Sequence, residues 1–174
     1  MNHILEPCRA TTKTRVLNRQ FNPGDARLGE GAPAFMRAAR GGDTTLMRIL
    51  IEGGADPTLT QKNKRNPIML SASVHSQRAD NALFGNDASV MDAIRICLDH
   101  GVDINAANDV GETAIFSAIG LPGLIRFLAA HGARLDVKNN RGQTPLVAAM
   151  KAAEPNEPSI AVLRELTNLI AQAQ

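Results

Sequence analysis

Gly53-Gly54-Ala55-Asp56 recurs along the chain as Gly101-Val102-Asp103 and again as Gly132-Ala133-Arg134-Leu135-Asp136. Each copy closes an apolar, helix-like run. Each is followed about ten residues later by a pair that suits a helix start: Asn66-Pro67, Thr113-Ala114 and Thr144-Pro145. A recurring helix end joined to a recurring helix start describes stacked copies of one supersecondary unit. Such a stack buries a core only between neighbouring copies and presents a surface rather than a cleft.

Subtraction gives the period. From Ala34 to Pro67 is 67 − 34 = 33 residues, and from Ala114 to Pro145 is 145 − 114 = 31. From Pro67 to Ala114 is 114 − 67 = 47, or 33 + 14, so the second unit carries an insert of 14 residues. The insert falls within 76–89, between the two helices of that unit.

In these stretches the chain resembles the ankyrin repeat family. The segments that carry the likeness are Leu46 to Asp56, Asn66-Pro67-Ile68-Met69-Leu70-Ser71-Ala72, Cys97 to Asn105, Gly111-Glu112-Thr113-Ala114 and Gly142-Gln143-Thr144-Pro145-Leu146. The likeness covers about 31–174. It departs where the family has His in the first helix, since Met36, Met69, Phe116 and Val147 stand there. It implies an all-α, ankyrin-like solenoid of about four helix-turn-helix units with projecting β-turn-type loops. The units read 31–63, 64–110, 111–141 and 142–174, behind a polar, basic leader or partial N-cap at 1–30. The resemblance also implies that partners are gripped by turn tips and the concave ends of the first helices. By register these positions are Arg40; Thr60, Lys62, Asn63 and Arg65; Asp109 and Glu112; and Lys138, Asn140, Arg141 and Gln143. Leu83 and Phe84, apolar within a polar insert, are the remaining candidates.

Charge narrows the partner class. The chain has 19 Lys and Arg against 17 Asp and Glu. Residues 1–30 hold five basic and three acidic side chains, 5 − 3 = +2, so the body is neutral at 14 against 14. A neutral body disfavours nucleic acid as the main partner, because counterion release needs a basic face. Aromatics are only 3%, with no Trp or Tyr, which suits a core of small aliphatic residues. The two cysteines have neither disulfide-framework nor zinc spacing, as a reducing compartment allows. Met1–Gln20 lacks a signal-peptide apolar run, and no stretch is long enough to span a membrane. The expected location is cytoplasmic, with export lacking a cleavable signal as the alternative.

Local chemistry supplies further expectations. Leu46, Ile49 and Leu50 are spaced as the buried stripe of one helix. Gly101 is expected at positive φ as a helix end. Ser89-Val90-Met91-Asp92 reads as a capping box, Leu121-Pro122-Gly123 as a turn and Ser159 as the cap of the last helix. In that last helix Ile160, Leu163, Leu166 and Ile170 mark an inward face. His100 and His131 each precede a helix-ending glycine, where a cation meets the negative end of the helix. Asp80, Asn81, Asn86 and Asp87 lack the spacing of a calcium loop. No nucleophile elbow, phosphate loop or zinc-protease motif is present. The chain therefore reads as a non-enzymatic, monomeric protein-binding module with no cofactor or metal. Two other readings stand beside it: nucleic-acid binding through the basic leader, and an enzyme whose site joins the 76–89 insert through His75, Asp80 or Asp87.

Overall fold

The computed structural model describes residues 32–73 and 87–172. The leader, Leu83, Phe84, His75 and Asp80 lie outside the described residues, and so do the readings placed on them. The described chain is helical, without a strand: α1 Ala34–Gly41, α2 Thr44–Glu52, α3 Pro67–Ala72, α4 Asp87–Asp99, α5 Ala114–Ser117, α6 Pro122–Ala130, α7 Pro145–Met150 and α8 Glu157–Gln172.

Packing sorts these into two rows. The short helices α1, α3, α5 and α7 contact one another in order, and the longer α2, α4, α6 and α8 do the same behind them. The core lies between the rows and runs without a break from Phe35, Met47 and Leu50 through Ile68, Ile94 and Cys97 to Ile125, Leu128 and Leu163. Small residues let the rows approach: Ala38, Ala39, Ala72, Ala93, Ala114 and Ala118 are all buried. Cys97 is a packed apolar residue, and burial pushes its thiol up to about 12.

Local signals explain the helix starts. Pro67 and Pro145 occupy first-turn positions, where a missing N–H leaves nothing unpaired. Asn66 caps α3, its Oδ1 accepting from the Met69 amide at 2.9 Å. Gly101 takes φ +80°, as expected of its helix-ending position. His100 and His131 use their rings alike, each Nδ1–H donating at 2.8 Å to the carbonyl one turn back, on Ile96 and Phe127.

Five local expectations are corrected. On α2 the buried residues are Met47 and Leu50, whereas Leu46 and Ile49 are 41% and 57% exposed. Positions 46, 47, 49, 50 and 51 are all apolar, so spacing alone leaves the phase of the stripe open, and the neighbouring helices settle it. Helix α4 begins at Asp87, so Ser89 lies inside its first turn rather than at its cap. Pro122 and Gly123 belong to α6, with Leu121 as the N-cap, because proline at the first position starts a helix as readily as it bends a turn. The last helix is capped by Asn156, whose Oδ1 accepts from the Ser159 amide at 2.9 Å. Ser159 is instead fully buried and ties two units together, accepting from the Gly120 amide at 3.2 Å. Along α8, Ile160 and Leu163 face the core as expected and Val162 joins them, while Ile170 is 46% exposed.

Candidate protein-binding face

Three hairpin turns project from one end of the stack, at Gln61–Arg65, Asn108–Glu112 and Asn139–Gln143. Each is closed by the same bond, from the first residue's N–H to the fifth residue's carbonyl, at 2.9, 3.0 and 2.9 Å. In the second and third turns an asparagine builds the interior. Asn108 Oδ1 accepts from the Val110 and Glu112 amides at 3.0 and 2.9 Å. Asn139 Oδ1 accepts from the Arg141 and Gln143 amides, both at 3.0 Å. The fourth residue of each of these two turns has positive φ, +77° at Gly111 and +71° at Gly142.

The first turn has neither the asparagine nor the glycine. Gln61 replaces the asparagine, and one more methylene carries its carboxamide past the turn amides. The side chain is only 3% exposed, yet neither its oxygen nor its nitrogen has a hydrogen-bond partner. Lys64 stands where the other turns have glycine and takes φ +59°. A side chain in the left-handed region costs about 1–2 kcal/mol. Lys64→Gly is therefore expected to raise the unfolding free energy by about 0.5–1 kcal/mol, after the extra unfolded-state freedom of glycine is subtracted. The ion pair it loses, Lys64 Nζ to Asp109 Oδ1 at 3.2 Å, is exposed and offsets little. Gln61→Asn should add about 1 kcal/mol by restoring the interior bonds. Urea denaturation reads both changes, and a lower midpoint for the double variant would contradict this account of the turn.

The turns are bonded tip to tip. The Asp109 amide donates to the Asn63 carbonyl at 3.1 Å, and the Asn140 amide donates to the Val110 carbonyl at 3.0 Å. Asn140 Nδ2 adds a bond to the Asp109 carbonyl at 2.9 Å. Behind the tips, Asn66 Nδ2 donates to the Asp103 carbonyl at 2.8 Å and Asn105 clasps the next loop, donating to the Gly132 carbonyl and accepting from the Arg134 amide. The three turns thus form one bonded row.

Each candidate side chain among the described residues has a place on or beside this row. Lys62, Asn63, Asp109, Lys138, Asn140 and Arg141 are exposed along it. Arg40, Thr60, Arg65, Glu112 and Gln143 are half-buried. Burial lowers the pKa of the Arg65 guanidinium, the charge of Arg40 pushes the same way, and Glu112 opposes both. These three side chains therefore share one electrostatic neighbourhood. Asn63, Asp109 and Asn140 also serve the internal row, a role that no sequence pattern marks. Sequence reasoning misses Lys64 as the partner of Asp109, because contact across 45 residues depends on stacking. Among the described residues no three His, Cys, Asp or Glu side chains come together to hold a metal, and no helix is long and apolar enough to cross a membrane.

Two rows of helices with a bonded row of turns along one end define a repeat solenoid. A family model for ankyrin repeats, in three copies, matches residues 35–138, more than half of the chain. The chain belongs to the ankyrin repeat family. It is also similar to the human Neurogenic locus notch homolog protein 1, with 26% identity over 141 residues, 68% of this chain and 6% of that protein. The chain thus spans a small fraction of that relative's length. Ankyrin repeats are in general protein–protein interaction modules, and the family is typically non-enzymatic.

Proposed function

We propose that this protein is a non-catalytic recognition module that holds a protein partner along the turn row and the adjoining ends of the first helices. The observation that carries this reading is the tip-to-tip bonding of the turns. Side chains on a row already ordered lose little further entropy on association. The row favours a partner with an acidic patch. Lys64 offsets Asp109 and Arg65 lies near Glu112, while Lys138 and Arg141 carry no ion pair among the described residues. An adaptor or an inhibitor would use the face in the same way.

Charge reversal tests it. The triple variant Lys62→Glu, Lys138→Glu and Arg141→Glu is expected to keep the wild-type helical signal in circular dichroism, since Lys62 and Arg141 are exposed and Lys138 lies on the exposed row. It is expected to lose at least tenfold in affinity for a partner captured from native extract by cross-linking through the turn row. Binding unchanged by the triple reversal would remove the row from the interface.

A further inference from the structure

Helix α8 repeats the buried pattern of the outer helices and then runs past it. Its buried residues Ser159, Ile160, Val162 and Leu163 have the spacing of Ala93, Ile94, Ile96 and Cys97 in α4. In that register Glu165 falls on Asp99, the last residue of α4, and on Ala130, the last of α6. Helix α8 continues to Gln172, 172 − 165 = 7 residues further. The extension carries Leu166, Leu169 and Ile170, of which the last two are 55% and 46% exposed.

The same register shows a side chain missing beside it. Ile51 on α2 and Leu98 on α4 pack on the core, while their counterpart on α6 is Ala129. Helix α6 packs on α8. An apolar groove of about 360 Å³ opens between them, lined by Ala129, Ala130 and Ala133 and by Leu166, Leu169 and Ile170 of the extension. A hole that lacks an aliphatic side chain thus lies beside a ridge of two exposed ones.

Charge decides the kind of occupant. Arg126 lines the groove and is held by Glu165 of α8 in two bonds, at 3.1 and 2.6 Å. Arg134, next in sequence to Ala133, is held by Asp136 at 3.1 and 2.8 Å. These charges cancel within the chain, so a charged partner finds no complement here. A two-fold contact sets a patch against its own copy, and net charge on the patch makes the copies repel. This patch is neutral, and it carries its knob beside its hole.

We propose that the groove is the contact of a two-fold dimer, with Leu169 of each copy seated against Ala129 of the other. One self-complementary patch then supplies both knobs and both holes. None of these residues belongs to the turn row, so dimerisation and partner binding are separable.

Sedimentation equilibrium of the full chain tests this from micromolar to millimolar concentration, with reductant to keep Cys8 from cross-linking. The wild type is expected to rise from monomer to dimer mass and to stop there, because a two-fold contact closes. Ala129→Leu gives α6 the residue that α4 has at this position and fills the hole without adding a polar group. It is expected to weaken the dimer at least tenfold and to keep the wild-type circular dichroism. Leu169→Ala, at an exposed position that folding does not depend on, is expected to do the same by removing the knob. A wild type that stays monomeric throughout would overturn the proposal and leave the groove to a different apolar partner. A dimer of unchanged strength in either variant would place the contact elsewhere, and masses that grow past the dimer would make it head-to-tail; both results would overturn it too.

Discussion

Gly111→Ala is expected to lower the unfolding free energy by about 3 kcal/mol, some three times the loss from Gly142→Ala, although both glycines hold the same position in their turns. Each has positive φ, +77° and +71°. The left-handed backbone alone charges alanine about 1 kcal/mol at either site. The surroundings make the difference. A Cβ on Gly142 meets nothing within 4 Å. A Cβ on Gly111 would lie 2.6 Å from Asn140 Oδ1, 2.9 Å from the Asn140 amide nitrogen and 3.1 Å from Asn139 Cα. Two of those atoms are backbone of the next turn, held in place by the bond from the Asn140 amide to the Val110 carbonyl. The turn cannot yield without breaking the row, and overpacking of this kind costs about 1–3 kcal/mol. Equal losses of stability in the two variants would show that the turns do not pack as described. If the row is the binding face, Gly111→Ala should also weaken partner binding at temperatures where the protein remains folded.

Asn66→Ala is expected to be nearly as damaging, at about 2–3 kcal/mol, because one side chain does two jobs. Its oxygen caps α3 and its nitrogen satisfies the Asp103 carbonyl at the end of the next unit's loop. Losing the cap costs about 1 kcal/mol. Leaving the carbonyl unpaired in a site where Asn66 itself is 2% exposed adds about 1–2 kcal/mol. The control is Thr113→Val at the same register position one unit on. Thr113 is equally buried, but its hydroxyl caps no amide and has no partner. Removing that unpaired hydroxyl in a side chain of the same shape should cost no stability and should add about 1 kcal/mol, by relieving a buried polar group without a partner. Thermal unfolding of the two variants decides the matter. Similar losses from both would mean that the position matters for packing rather than for its bonds.

The proposed binding face is legible in the sequence only in part. Register singles out Arg40, Arg65 and Glu112, and the structure gives them a common electrostatic neighbourhood. Register finds the turn tips in the same way. That Asn140 spends its amide on the neighbouring turn, and Asp109 its carboxylate on Lys64, cannot be read from the chain alone. Both contacts join residues about a full repeat or more apart, and a polar side chain at a turn looks the same in sequence whether it faces a partner or the next turn.

The sequence by itself determined the repeat: its period, its helix ends at Gly54, Gly101 and Gly132, and its helix starts at Asn66-Pro67 and Thr144-Pro145. These signals are local. A proline at a first turn or a glycine at a helix end acts through the few residues around it, so each copy can be read alone. Only the tertiary structure decided which apolar residues of α2 are covered, that Asn156 rather than Ser159 caps α8, and that Gly111 is crowded while Gly142 is not. Burial belongs to pairs of elements. A helix apolar on several sides has no inside until its neighbours are in place.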